Sequence, residues 1–179
     1  MKKLALTLFF LAALTMGFNA SAQRKDSGYE VGTFLINGGI SVGDFYYDYG
    51  YGSAFPSIIA NAEWSVHEWV GVGPYIGVHP LTYGSKIAVG ARGTFHYTQF
   101  IPAIDPNMLD LYGTLHLGVN IRNYNYNTPG RADDSGVTDF VFGPVAGARW
   151  FPTQGGFGVF GEVGYGPLGF LTLGVSGKF

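Results

Sequence analysis

The amino-acid sequence predicts an all-β protein in which eight antiparallel strands close into an up-and-down barrel. Apolar and polar residues alternate with period two in eight short segments, and turn-forming clusters separate these segments. Glycine occurs 29 times without a collagen-like repeat, and charged residues make up only 12% of the chain. That charged fraction is about half of the roughly 25% that is usual in soluble proteins.

The N-terminal segment has the pattern of an export signal. Lys2 and Lys3 precede the apolar run LALTLFFLAALTMGF, and the sequence ASA stands directly before Gln23. This order is typical of a cleavable secretory signal peptide, and the run is shorter than the roughly 20 residues of a membrane-spanning helix. We expect a signal peptide at 1–22, a short lead-in at 23–30 and a barrel domain at 31–179.

Each of the first four alternating segments collects its apolar residues on one face. The segments are 33–43 with Phe34, Ile36, Ile40 and Val42; 57–66 with Ile58, Ala60, Ala62, Trp64 and Val66; 70–78 with Val70, Val72, Ile76 and Val78; and 86–97 with Ile87, Val89, Ala91, Phe95 and Tyr97. The opposite faces carry glycine and polar residues such as Asn37, Glu63 and Arg92. A two-faced pattern of this kind predicts strands.

The last four segments repeat this arrangement. They are 109–122 with Leu109, Leu111, Leu115, Leu117, Val119 and Ile121; 138–151 with Phe140, Phe142, Ala146, Ala148 and Trp150; 157–165 with Phe157, Val159, Val163 and Tyr165; and 171–179 with Leu171, Leu173, Val175 and Phe179. Asp110, His116, Arg149 and Glu162 lie on the opposite faces. The pattern therefore continues to the last residue of the sequence.

The distribution of charge between the two faces predicts which face lies inside. The apolar face has no charged or amide side chain, whereas the polar face consists mostly of glycine, serine and threonine with few ionised groups. Such a polar face is too poor in charge to be the outer surface of a soluble barrel. We therefore expect a transmembrane barrel with an apolar band against lipid and a narrow polar lumen. Closure leaves no unpaired strand edge in hydrocarbon.

Several features of the chain occur together in a known family. They are the ASA end of the signal peptide, the eight alternating strands, the stretch GARWFPTQGGFGVFGEVGYG and the closing LTLGVSGKF. Over residues 31–179 the chain resembles the small OmpA/OmpX-like outer-membrane β-barrels of diderm bacteria. The resemblance implies a location in the outer membrane, with lipid around the barrel. It also implies that the barrel assembly machinery recognises the last strand through Leu171, Leu173, Val175 and Phe179.

Charged residues on the predicted lumen face must find partners, because unpaired buried charges are costly. Arg149 and Glu162 lie on adjacent strands within cross-strand reach, whereas Glu63 and Arg92 can meet only across the interior. We expect these four residues to form a network with His116, and the polar relays proposed for it are Asn37, Asn61 and Asn120. A plug is favoured over a gate for small solutes, because eight strands enclose little more than side chains.

The loop DFYYDYGYGSAF contains Tyr46, Tyr47, Tyr49 and Tyr51. In the predicted topology this loop lies outside the cell. Tyrosine offers a large amphipathic contact surface, so these residues are candidates for extracellular contacts. The alternative interpretation is that they belong to the outer aromatic girdle of the barrel.

Other kinds of chemistry find little support in the sequence. The absence of cysteine excludes thiolate sites and disulfides, the histidines form no metal-binding pattern, and GFGVFG lacks the strand and helix that a dinucleotide site needs. The net charge of -2 argues against nucleic acid. We expect a monomer without cofactor or enzymatic activity. The alternatives are a narrow channel, a lipid-modifying outer-membrane enzyme and a soluble periplasmic barrel that binds a lipophilic ligand.

Overall fold

The computed structural model describes residues 28–43, 56–81, 84–124, 137–152 and 156–179. The strands are β1 (Phe34–Val42), β2 (Ser57–His67), β3 (Val70–Leu81), β4 (Gly84–His96), β5 (Leu109–Tyr124), β6 (Val137–Trp150), β7 (Phe157–Gly164) and β8 (Leu171–Lys178). Each strand pairs antiparallel with the next, and β8 pairs with β1 to close the barrel. The predicted eight-stranded up-and-down barrel is confirmed, with strand ends shifted by a few residues. The expected signal peptide lies outside the described residues.

The two ends of the barrel are built differently. We call the end where β1 begins and β8 ends the proximal end, and the opposite end the distal end. At the proximal end, residues 97–108 join β4 to β5 and contain a 3₁₀ helix, Thr98–Phe100. At the distal end, residues 165–170 join β7 to β8 and bury Leu168. Nowhere in the described ranges is a helix long and apolar enough to cross a membrane.

The side chains alternate between the interior and the outer surface as the sequence pattern predicts. Among the residues that the structure describes, the buried side chains comprise 20 polar or charged and 11 apolar ones. The outer surface carries large apolar residues, among them Leu117, Phe142 and Val175. The polarity is therefore inverted with respect to a soluble barrel, in which the apolar face forms the core.

Inward glycines make room for the large side chains of neighbouring strands. A Cβ atom added to Gly71 would lie 2.6 Å from Glu63 Oε1, and one added to Gly90 would lie 2.8 Å from Tyr75 Cε1. Both separations are too short for real carbon contacts. Glycine is therefore required at these positions because the interior is filled by its neighbours.

Candidate functional site in the barrel interior

The proximal half of the interior holds a buried network of ion pairs. Arg149 of β6 binds Glu63 Oε2 at 2.9 Å and Asp110 Oδ2 at 3.0 Å. Arg92 of β4 binds Glu162 Oε1 at 2.9 Å, and its Nε atom lies 3.9 Å from Glu63 Oε2. These side chains are almost completely buried, so each charge depends on its partners within the barrel.

His96 links two carboxylates of this network. Its Nδ1 atom lies 3.0 Å from Asp110 Oδ1, and its Nε2 atom lies 2.9 Å from Glu63 Oε1. A neutral imidazole has only one N–H group, so it can donate to only one of two ionised carboxylates. The geometry therefore fits the imidazolium form, in which three cationic side chains face three carboxylates and the network has no net charge.

Neutral side chains connect the ion pairs of Arg149 with those of Arg92. Thr94 donates from Oγ1 to Glu63 Oε2 at 2.9 Å, and Arg92 donates to Thr114 Oγ1 at 2.9 Å. Tyr112 donates from its hydroxyl to Glu162 Oε1 at 2.9 Å, and its ring lies 4.0 Å from the Arg149 guanidinium carbon. The network is therefore continuous from Asp110 to Glu162.

Tyr29 closes the network at the proximal end. Its hydroxyl donates to Asp110 Oδ2 at 2.8 Å, and its ring stacks on the His96 ring with a centroid distance of 4.2 Å. Tyr29 also forms a buried apolar cluster with Leu35 and Phe151. Burial raises the pKa of the Tyr29 phenol well above its ordinary value, and the charge of Asp110 raises this pKa further.

The interior wall formed by β8, β1 and β2 carries a neutral cluster instead. Asn37 donates from Nδ2 to Asn61 Oδ1 at 2.7 Å, and Ser176 donates to Asn37 Oδ1 at 2.5 Å. Thr172 donates to Ser41 Oγ at 2.9 Å. We call these five residues the neutral polar cluster. Its hydrogen bonds join β1, β2 and β8 without an ionised group.

Leu168 covers the interior from the distal side. It packs against Ile59, Tyr75 and Ala88, and its carbonyl oxygen accepts a hydrogen bond of 3.1 Å from the Ser57 hydroxyl. The Ser57 Oγ atom also lies 2.6 Å from His79 Nδ1. The connection between β7 and β8 is therefore anchored inside the barrel.

The structure brings the predicted network residues together, but with different pairing. Arg149 contacts Glu63 and Asp110 and not the expected Glu162, because the strand register places Gly147 opposite Glu162. Glu162 pairs with Arg92. The distance of 3.9 Å between Arg92 and Glu63 agrees with the expectation that they meet across the interior.

The expected relay residues have other hydrogen-bond or ring partners. Asn37 and Asn61 belong to the neutral polar cluster, and Asn120 donates to the Pro167 carbonyl at 3.4 Å. His116 stands opposite Arg92 in the register of β4 and β5, is buried, and packs edge-on against Tyr75 with a centroid distance of 5.1 Å. The role of these residues as relays stays a prediction.

Sequence reasoning missed four members of the network: Asp110, His96, Tyr112 and Tyr29. Three of them lie on faces predicted to be inward, and Asp110 stands directly opposite Arg149 in the register of β5 and β6. Correct strand pairing would therefore have identified that ion pair. Tyr29 precedes the first strand, where no alternating pattern indicates its orientation.

The other predicted site residues lie on the outer surface or outside the described ranges. Leu171, Leu173, Val175 and Phe179 are exposed on the outer side of the last strand. Tyr46, Tyr47, Tyr49 and Tyr51 lie outside the described residues. Within the part of the chain that the structure describes, no group of three or more histidine, aspartate or glutamate side chains could hold a metal ion.

This geometry defines a class: a small closed barrel with an apolar outer surface and a charged, filled interior. The chain is similar to the N-terminal β-barrel domain of Pseudomonas aeruginosa OprF, with a TM-score of 0.53 and 14% sequence identity over 84% of this chain and 98% of that domain. It therefore has the fold of the small OmpA/OmpX-like outer-membrane barrels.

Two further solved structures are less similar to this chain. The outer-membrane protein Ail of Yersinia pestis has a TM-score of 0.49 and 14% identity over 84% of this chain and 100% of that one. A designed transmembrane β-barrel has the same TM-score and identity, over 84% of this chain and 98% of that one. No protein-family model and no curated protein matches the sequence.

Proposed function

We propose that this chain is an integral outer-membrane β-barrel of a diderm bacterium, with a packed lumen and a structural or surface-interaction role. The main support for this proposal is the inverted polarity of the barrel. Charged side chains such as Arg92 and Glu162 are buried, whereas large apolar side chains such as Leu117 and Phe142 are exposed around the barrel. In water so large an apolar surface would cause aggregation, but in a bilayer it is the favourable surface.

Aromatic residues near the strand ends support an orientation in the membrane. Trp64, Trp69 and Trp150 are exposed near the proximal end, and Trp69 packs edge-on against Phe95 and Phe100. Aromatic side chains favour the boundary between lipid and water. In this proposal the proximal end faces the periplasm, and the distal loops, including the tyrosine-rich one, offer the surface for contacts.

The last strand is the basis of our proposal for how the barrel is assembled. Leu171, Leu173, Val175 and Phe179 present apolar side chains outward, and Phe179 exchanges backbone hydrogen bonds of 2.8 and 3.0 Å with Phe34. We assign this strand as the segment that the barrel assembly machinery recognises. The closed barrel and the buried charges favour a monomer, because the fold needs no second chain to complete its sheet.

The filled interior favours a plug over a channel. The ion-pair network occupies the proximal half, Tyr29 closes it on one side, and Leu168 covers the interior on the other. Recordings in planar bilayers test this choice. We expect no reproducible discrete openings from the wild type, and openings that Arg149→Ala abolishes would support the channel instead.

The interior also disfavours a lipid-modifying enzyme. Ser57 and His79 are in hydrogen-bond contact, but both are buried beneath Leu168 and away from the surface that would meet a lipid. This position supports a structural role for the pair in anchoring the β7–β8 connection. We expect unchanged lipid A mass spectra on overexpression, whereas a new lipid A species would favour the enzyme.

A charge placed on the outer surface tests the membrane proposal directly. Leu117 lies midway along β5 and is 44% exposed, and Phe157 lies at the proximal start of β7 and is 76% exposed. In lipid, Leu117→Arg should lower the free energy of unfolding by about 2–4 kcal/mol and Phe157→Arg by about 0–1 kcal/mol. A soluble barrel would tolerate both changes equally. Recovery of the wild type from the periplasm without detergent would also contradict the proposal.

A further inference from the structure

Tyr29 is unusually placed for a residue that precedes the first strand. Such segments normally lie on the surface, yet Tyr29 is only 1% exposed. Its ring stacks on His96 and its hydroxyl donates to Asp110. The side chain thus enters the barrel from the proximal end and contacts the ion-pair network directly.

The backbone conformation next to Tyr29 allows its side chain to enter the barrel. Gly28 has a φ of +66°, and a Cβ atom there would lie 2.8 Å from the Pro106 carbonyl oxygen. The chain therefore passes closely over the β4–β5 connection, and glycine is needed for both the dihedral angle and the space. The Gly28 carbonyl also accepts a hydrogen bond of 3.5 Å from Lys178 Nζ.

The same segment contains a glycine, Gly32, about which its backbone can rotate. Gly32 has a φ of +97°, and a Cβ atom there would meet nothing within 4 Å. Its amide donates to the Ser65 carbonyl at 2.8 Å, just before the ladder of β1 begins. Movement about Gly32 would therefore leave the closed sheet intact.

We propose that residues 28–32 form a proximal plug, which can withdraw Tyr29 as a unit and admit water to the ion-pair network. This device goes beyond the proposed function and does not depend on it, because it follows from the barrel alone. With the plug in place, Asp110 and His96 are buried. With Tyr29 withdrawn, these two side chains are the first to meet water, while Arg92 and Glu162 remain deeper in the barrel.

Cysteine labelling can test the plug cleanly, because the chain has no cysteine of its own. Ser65→Cys is a suitable reporter, since Ser65 is buried at the proximal end and its hydroxyl makes no hydrogen bond within the described part of the chain. Ser41→Cys is the matched distal reporter, because Ser41 is buried near the distal end of β1. The readout is the labelling rate by a small charged thiol reagent, with the barrel folded in detergent.

We expect Tyr29→Ala to accelerate labelling at the Ser65→Cys reporter by about tenfold or more, because it removes the ring stack and the hydrogen bond to a carboxylate. Tyr29→Phe keeps the ring and should have a smaller effect. Val31→Ala is the control in the same segment, because Val31 is 68% exposed, and it should change nothing. The rate at the Ser41→Cys reporter should stay constant in all variants.

Two results would overturn the plug. One is an unchanged rate at the proximal reporter in Tyr29→Ala; the other is equal acceleration at both reporters, which would indicate general loosening of the barrel. If Tyr29→Ala does not fold, hydrogen exchange in the wild type decides. The Gly32 amide should exchange at least about tenfold faster than the Phe34 amide, which is bonded to the Phe179 carbonyl. Equal protection of the two amides would contradict an independently moving plug.

Discussion

Two regions of the barrel interior are filled by different chemistry. The ionic network holds Arg149, Glu63 and their partners, whereas the neutral polar cluster on β8, β1 and β2 holds only amide and hydroxyl groups. An ion pair between Arg122 and Asp139 also lies toward the distal end, but its side chains are partly exposed to solvent. The same eight strands can thus be filled in two ways within one molecule.

This difference teaches how each region should respond to the loss of one side chain. A buried charge that loses its partner keeps its full desolvation penalty, and Glu63 is a carboxylate partner of both Arg149 and His96. A neutral hydrogen bond contributes much less. The ionic network should therefore be sensitive to single substitutions, and the neutral polar cluster should lose stability in smaller steps.

The largest effect should come from Glu63→Ala. This change leaves Arg149 and His96 without one of their carboxylate partners, and we expect the free energy of unfolding to fall by about 3–5 kcal/mol. Urea unfolding in lipid vesicles measures this change. Glu68→Ala, in the turn between β2 and β3, is the control, and a similar loss in both variants would remove the distinction between the network and the surface.

A smaller loss should follow from Leu168→Ala at the distal side. The change opens a cavity among Ile59, Tyr75 and Ala88, so we expect a loss of about 2–3 kcal/mol. Leu168→Met keeps the volume and should cost less than about 1.5 kcal/mol. Equal stability of the alanine variant and the wild type in the same unfolding assay would show that this connection does not close the interior.

Asn37→Ala should sharpen the contrast between the ionic network and the neutral polar cluster. It removes hydrogen bonds to Asn61 and Ser176, but no charge is left unpaired, so we expect a loss of only about 1–2 kcal/mol. A double-mutant cycle with Asn61→Ala gives the coupling of the pair. A loss as large as that of Glu63→Ala would mean that ionisation is not what distinguishes the two regions.

The smallest effect should be the pH dependence of Tyr29→Phe. At neutral pH the Tyr29 hydroxyl should contribute about 1 kcal/mol, since Asp110 keeps its other partners. Because burial raises the pKa of Tyr29 in the folded state, this contribution is complete below about pH 10, the ordinary tyrosine value, and falls as the pH rises further. Unfolding of both proteins at about pH 8 and about pH 11 tests this; a constant difference would contradict it.

The faces of the strands could be predicted because alternation is a local property. Glu63 is inward and Trp64 outward, as the alternation along β2 from Ser57 to Val66 requires. The pairing of charges could not be predicted in this way, because a shift of two residues between strands preserves every face and changes every partner. Arg149 shows this: its face was predicted correctly, but its partners follow from the register of β5, β6 and β7.

The orientation of residues outside the strands could not be predicted from the alternating pattern. Tyr29 and Leu168 lie in connecting segments, where neither has a periodic neighbour to indicate its orientation. Both are nevertheless buried and close opposite sides of the interior. Their positions result from the space that the barrel leaves at each end, which exists only once all eight strands are assembled.

The spread of charges around the barrel has a consequence for how the protein assembles. The carboxylates lie on β2, β5 and β7, and the cationic side chains lie on β4 and β6. The pairs of Glu63 with Arg149 and of Arg92 with Glu162 join strands that are not neighbours in the sheet, so they form only when the sheet curves into a cylinder. A flatter, incomplete sheet would leave these groups unneutralised on its concave side, and we expect such assemblies to be disfavoured.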